Sequence, residues 1–250
     1  MVIPRWVCQG SFLLPLFLAA CTAGPPRDPM PAFVPGSRIL FQGDSITDGN
    51  RGRNSDPNHI LGHGYQFIIP ALYGEMLPER HLTFMNRGIS GDTVARLQRR
   101  WKTDTLDLHP DILSILIGVN DLGSGLPPAT FEQQYDQLLA QTLTALPHIH
   151  IVLMEPFGLP VGGKKLIWDA SYHAALLERI AIVNRLAAKY QLPIVHLQKV
   201  FDDACSRAPA DDWIWDGVHP TYSGHELIAK EWIKVVRAAH WTTPATRPAS

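Results

Sequence analysis

From residue 38 onward, short apolar runs alternate with longer stretches in which apolar residues return every three or four positions. The runs are Arg38 to Gly43, His81 to Asn86, Asp111 to Ile117, Ile149 to Met154 and Pro193 to Leu197. Each has the length of a strand, and their nearly continuous apolar character suits strands covered on both faces. Helical spacing occupies Gly64 to Leu77, Asp92 to Lys102, Thr130 to Leu146, Asp169 to Tyr190 and about Ser223 to Ala239. Thr130 with Gln133 fits a capping box, and Asp92 and Asp169 fit N-caps. Alternating strands and helices predict an α/β domain, its parallel sheet joined by right-handed crossovers and covered by helices on both faces. Active residues then gather at the carboxyl ends of the strands. Glu155 to Trp168, rich in glycine and proline, is the longest loop and is placed to border such a site.

The ends of the chain follow other rules. Arg5 precedes an apolar stretch from Phe12 to Ala20 that closes on small residues and Cys21. A run of about ten apolar residues is too short to span a bilayer, which takes roughly 20 in a helix, and reads as an export signal. Leu18-Ala19-Ala20-Cys21 resembles a bacterial lipobox, which implies cleavage of residues 1–20 and acylation of Cys21. Ordinary signal cleavage nearby, with Cys21 incidental, is the alternative. Lipid anchoring in the bacterial cell envelope follows from the lipobox, and Thr22 after the cysteine favours the outer membrane of a Gram-negative cell. Five prolines between positions 25 and 35 suggest that residues 21–36 form an extended tether. The folded domain is then 37–241, followed by a disordered tail at 242–250.

Charge and cysteine content narrow the classes. Lys+Arg 22 against Asp+Glu 23 gives a formal charge of −1, without the basic stripe that a nucleic-acid backbone attracts. Of 3 cysteines, Cys8 falls in the signal and Cys21 at its cleavage site, so Cys205 has no partner for an internal disulfide. Cys205 is then a packed small residue or a reactive thiol. The chain holds no His-Glu-x-x-His run, cysteine cluster or glycine-rich dinucleotide turn, so neither metal nor cofactor is expected.

Candidate chemistry begins after the first strand, at Gly43-Asp44-Ser45-Ile46-Thr47. A serine hydroxyl is a weak nucleophile and needs a base, itself oriented by a third group. Among 11 histidines, His219 stands apart because Asp216 precedes it by three residues in one loop ahead of the final helix. Acyl transfer also needs donors for the developing oxyanion. Asn86-Arg87-Gly88-Ile89-Ser90-Gly91-Asp92 follows the second strand and offers the Gly88 N–H, and Gly118-Val119-Asn120-Asp121 follows the third and offers the Asn120 amide. Singly, each motif has an ordinary explanation: a turn serine, a helix-entry aspartate, a turn glycine, a strand-end cap. Together they fall in order at the places where this topology assembles its site. Trp213 and Trp215 flank the Asp216–His219 loop and either offer an exposed indole face to a ligand or pack internally. Asp44 and Asp121 read as turn-fixing carboxylates, and His225 as a residue at the start of the last helix.

Ser45, Gly88, Asn120 and His219 stand in the four blocks of the SGNH (GDSL) hydrolases, which the chain resembles from about Arg38 to Val236. The resemblance implies a flavodoxin-like, three-layer α/β/α sandwich on a five-stranded parallel sheet. It also implies a serine esterase with Ser45, His219 and Asp216 as the triad and an oxyanion hole made by the Ser45 and Gly88 N–H groups and Asn120. Leu61-Gly62-His63-Gly64-Tyr65, Gly91-Asp92-Thr93-Val94, Arg99-Arg100-Trp101 and Trp215-Asp216-Gly217-Val218-His219-Pro220 are similar to bacterial acetylxylan esterases and related carbohydrate acetylesterases. The substrate so implied is an O-acetylated carbohydrate such as acetylated xylan. A lysophospholipase, thioesterase or arylesterase of broader acyl range, a glycan O-acyltransferase, and a binding module that keeps the fold without the chemistry are the competing readings. No partner beyond the substrate and the membrane reached through the anchor is implied, and homo-oligomerisation stays open.

Overall fold

The computed structural model describes residues 28–162, 168–239 and 241. The signal segment 1–20, Cys21 and the tail 242–250 lie outside the described residues. Five parallel strands, β1 (Arg38–Gly43), β2 (Thr83–Asn86), β3 (Ile112–Leu116), β4 (His150–Met154) and β5 (Ile194–Val195), pair in the order β2-β1-β3-β4-β5. This is the flavodoxin-like order, in which the chain reverses direction across the sheet between β1 and β3 and opens a crevice at their carboxyl ends.

The helices are α1 (Ser45–Asp48), α2 (Tyr65–Met76), α3 (Val94–Asp104), α4 (Val119–Gly123), α5 (Pro128–Ala145), α6 (Ala170–Tyr190), α7 (Leu197–Cys205) and α8 (Tyr222–Ala238). Alternation along the strands divides the apolar residues between two cores. Ile39, Phe41, Ile112, Leu116, Val152 and Met154 face α2, α7 and α8, where Trp232 packs. Leu40, Leu113, Ile115, Ile151 and Leu153 face α3, α5 and α6, where Trp101 and Phe131 pack. The apolar runs of the sequence are thus strands serving two faces at once.

Several boundaries differ from expectation. Thr93, not Asp92, caps α3, accepting from Arg96 N–H at 3.3 Å, while the Asp92 carboxylate is drawn to Arg100 at 2.7 Å. The capping box at Thr130 does not form, because Pro127 and Pro128 start α5 earlier and place Thr130 inside its first turn. Asp169 does cap α6, accepting from Tyr172 N–H at 2.8 Å. β5 is cut to two residues because Leu197 opens α7. The tether expected over 21–36 is corrected from Asp28 onward: Met30 and Phe33 are fully buried, and Arg80 donates to the carbonyls of both at 3.0 and 2.8 Å. Proline content marks resistance to helix and sheet, yet two large apolar side chains among those prolines join the core, Phe33 packing against Tyr73, Phe84 and Trp232.

Candidate active site

Gly43 ends β1 where a Cβ would lie 2.3 Å from the Leu116 carbonyl oxygen and 2.5 Å from Thr47 Oγ1, so only glycine lets the chain turn out of the sheet here. Asp44 then caps α1, its Oδ1 accepting from Ile46 N–H at 3.0 Å, and Ser45 becomes the first helical residue at the sheet edge. The Ser45 hydroxyl meets His219 Nε2 at 2.7 Å. His219 Nδ1 meets Asp216 Oδ2 at 2.6 Å, and Asp216 Oδ1 accepts from the backbone N–H groups of Val218 at 3.1 Å and His219 at 2.8 Å. The three side chains form one continuous relay across 174 positions of sequence.

The loop that carries Asp216 and His219 is braced at both sides. Ile214 and Pro220 form an antiparallel bridge, and Trp215 N–H donates to the His219 carbonyl at 3.1 Å. Of the Glu155 to Trp168 segment, residues 163–167 lie outside the described residues, and its first half borders this loop: Leu159 N–H donates to the Gly217 carbonyl at 3.0 Å, and a Cβ on Gly162 would lie 2.4 Å from the Trp215 carbonyl. Trp215 is 64% exposed and stacks over the His219 ring at 6.4 Å. Trp213 is instead half-buried, its Nε1 donating to the Ala208 carbonyl at 3.3 Å with the Arg207 guanidinium over its ring.

Charge states follow from these surroundings. Burial works against ionisation of Asp216, but the hydrogen bonds from His219 and Val218 outweigh it and hold the carboxyl below its usual range. His225 lies near the site as a neutral ring, pushed down to about 4 by burial and then by His63 and His219, with Nδ1 accepting from Tyr65 N–H at 3.3 Å. Burial pushes Asp44 up to about 7, opposed by the Ile46 N–H and reinforced by Asp121 and Asp92. Burial likewise raises Asp121 to about 6, against the Val94 N–H, which donates to it at 3.1 Å, and Arg179.

A measurable pH effect follows. Asp44 and Asp121 stay protonated in the folded protein after their unfolded counterparts have ionised near 3.8. Their contribution to stability is therefore full below that value and is lost as pH rises through about 6 and 7. Carboxyls with lowered values, such as Asp216, act in the opposite sense, but their gain is complete once pH passes the unfolded value. His225, lowered to about 4, gains stability over the same window, so the loss is read by difference: between pH 4 and 7 the thermal stability of Asp44→Asn should fall less with rising pH than that of the parent, and an identical dependence would mean that Asp44 ionises normally.

In the 86–92 turn the Gly88 N–H, expected from sequence to meet an oxyanion, is engaged elsewhere. Gly88 N–H donates to the Asn86 side chain at 2.9 Å, and a Cβ on Gly88 would lie 2.3 Å from the Asp48 nitrogen. Gly88 is thus a buried packing glycine where the turn presses on α1, and its N–H is not available to an oxyanion. Gly91 is exposed with φ +79°, and its N–H makes no hydrogen bond among the described residues. Asn120 Nδ2 donates to the carbonyl of the next residue, Asp92, at 3.0 Å, which brings the amide beside Gly91 and leaves its second N–H for another acceptor. Nothing in the heptapeptide alone distinguishes its two glycines, since the choice depends on how closely α1 approaches. Arg100, also unassigned from sequence, ties the site's supports together by donating to the carbonyls of Gly43 at 3.3 Å and Arg87 at 2.7 Å and to Asp92.

A hydroxyl, imidazole and carboxylate in line at a sheet switch point are the parts of an acyl-transfer site. The GDSL-like Lipase/Acylhydrolase family profile matches residues 41–227. The chain belongs to this family. It is a carboxylic ester hydrolase, an acyl esterase of the GDSL type. A curated acetylxylan esterase from Geobacillus stearothermophilus is 29% identical over 211 residues, covering 80% of this chain and 94% of the relative. The crystal structure of the acetylxylan esterase Axe2 from the same organism superposes with a TM-score of 0.71 at 28% identity, covering 85% of this chain and 99% of that one. A structure from Parabacteroides merdae, described as a GDSL-like lipase, gives 0.76 at 37% identity over 81% of this chain and 96% of that one. Axe2 has also been solved as catalytic mutants in which a serine, an aspartate or a histidine is changed to alanine, the latter two being three positions apart.

Proposed function

We propose that this GDSL esterase removes O-acetyl groups from carbohydrate, acetylated xylan or its fragments being the substrate class, through an acyl-enzyme formed on Ser45. The observation that carries the chemistry is the unbroken relay from the Ser45 hydroxyl through His219 to Asp216, at 2.7 and 2.6 Å. The spacing of Asp216 and His219 equals that of the aspartate and histidine altered in the Axe2 catalytic mutants, and that enzyme is an acetylxylan esterase.

In this mechanism Ser45 Oγ attacks the acetyl carbonyl carbon while its proton passes to His219 Nε2. Asp216, ionised and hydrogen-bonded to Nδ1, keeps the ring in the accepting tautomer and stabilises the imidazolium that forms. The negative charge on the former carbonyl oxygen is met by the N–H groups of Ser45 and Gly91 and by the Asn120 amide, each such donor being worth on the order of 10²- to 10³-fold in rate. Collapse breaks the bond to the sugar oxygen, which takes the proton from His219. Water then attacks the acyl-enzyme, giving its proton to His219, and acetate leaves as the Ser45 hydroxyl is restored. Trp215, exposed over the His219 ring, offers an apolar face on which a sugar can stack.

Acetate release from acetylated xylan, measured beside hydrolysis of acetyl and octanoyl aryl esters, tests the substrate. Xylan deacetylation with acetyl preferred over octanoyl is expected; preference for octanoyl would point to a lipase-like enzyme instead. The reading extends to location: a lipid on Cys21 would tether the enzyme outside the cytoplasm, where such polymers are met. Labelled palmitate should enter the protein in cells and be lost in Cys21→Ser; equal labelling of both would defeat the anchor.

A further inference from the structure

The turn from Asn86 to Asp92 carries arginines that ester hydrolysis does not use. Arg51 Nε donates to the Gly88 carbonyl at 3.0 Å, and Arg96 donates to the Gly91 carbonyl at 3.3 Å. Arg53 lies beside Arg51, donating to its carbonyl at 2.6 Å, and Arg87 is part of the turn itself. The carboxylates nearby are already engaged. Asp48 pairs with Arg53 at 2.7 Å and accepts from Ser90, and Asp92 and Asp104 both pair with Arg100, at 2.7 and 3.1 Å.

Arg51, Arg87 and Arg96 form no ion pair among the described residues. Unbalanced positive charge therefore collects on one rim of the site in a chain whose formal charge is −1. Burial, then the neighbouring Arg53 and Arg87, lower Arg51 to about 10, as crowded guanidinium groups would. Since Arg51 and Arg96 each commit one N–H to the turn, the rest of each planar fork stays open to a ligand. Gly91, which Arg96 grips, is the residue whose N–H faces the reacting ester in the mechanism above.

We propose that Arg51, Arg87 and Arg96 form a rim subsite for a carboxylate carried on the glycan near its acetylated sugar, so that uronic-acid-bearing acetylated oligosaccharides are the preferred substrates. The assignment rests on the carbohydrate acetylesterase reading. A carboxylate matches the guanidinium fork in shape and charge, whereas a neutral sugar hydroxyl leaves the positive charge unbalanced. The rim is solvated, so the preference is modest and falls with added salt.

Neutral and uronic-acid-bearing acetylated xylo-oligosaccharides of equal length, separated from one hydrolysate by anion exchange, provide the test. At low ionic strength KM for the acidic set should be about two- to fivefold lower, with kcat little changed, and the gap should close at high salt. Arg87→Gln/Arg96→Gln should erase the gap, read as the ratio of the two KM values so that any change at Gly91 common to both sets cancels. Calorimetric binding of the same oligosaccharides to Ser45→Ala should show the same acidic preference without turnover. Equal KM and equal affinity for the two sets, or a gap that survives in the double variant, would overturn the subsite. Hydrolysis of aryl acetate with failure on both oligosaccharide sets would instead overturn the carbohydrate reading on which the subsite rests.

Discussion

Ser45→Ala should lower kcat for aryl acetate and for acetylated xylan by about 10⁴- to 10⁶-fold, with thermal stability and ligand affinity nearly unchanged. The hydroxyl is the one group in the site able to form the new bond to the acyl carbon, and no neighbour can replace it. His219 has no other hydroxyl within its hydrogen bonds, since Nε2 is spent on Ser45 at 2.7 Å and Nδ1 on Asp216 at 2.6 Å. The residual rate should reflect only a water molecule activated by His219 at the oxyanion donors. The substitution removes a single oxygen on a helix of four residues that Asp44 still caps, so folding has little reason to suffer. Steady-state kinetics on purified protein decides the matter. A variant that keeps more than about a hundredth of the parent rate would place the nucleophile elsewhere.

The largest effect on stability is expected at Trp232, where replacement by alanine should cost about 3–5 kcal/mol. Its indole is fully buried in the core between the sheet and α8, tilted against Phe33 at 6.2 Å and Phe41 at 5.8 Å. Nε1 donates to Ser114 Oγ at 2.7 Å, so truncation also strands a buried hydroxyl on the central strand β3. In a chain of this size the loss corresponds to a fall of about 6–20 °C in Tm. Differential scanning calorimetry measures it directly. Trp232→Phe should recover part of the packing but not the hydrogen bond, and equal Tm values for the alanine variant and the parent would show that this core relaxes around the void.

Much of the fold was legible because sheet strands buried on two faces must be largely apolar, and Ile39 to Phe41 and Ile151 to Met154 are wholly so, with Ser114 the one polar residue of Ile112 to Ile117. The long helices announced themselves by the same logic at a different period. Short elements did not: α1 and α4 have four and five residues, too few for any periodicity, although they present Ser45 and Asn120. Met30 and Phe33 were concealed among prolines, because local composition describes what a segment resists and not what a distant pocket will accept.

Residue chemistry along the chain determined the family, the α/β class, and the pairing of a serine with one histidine among many, since Asp216 and His219 share a loop and their spacing survives any fold that keeps it intact. Only the tertiary structure decided which glycine of the 86–92 turn keeps its N–H unused. The approach of α1 to within bonding reach fills the space at Gly88, whose N–H turns to Asn86, and leaves Gly91 open. It also separated exposed Trp215 from half-buried Trp213 and brought Arg51 and Arg96 to carbonyls of the 86–92 turn. Local sequence sets what each residue can do, whereas contacts between segments distant in sequence choose which of those capacities is left free for a substrate.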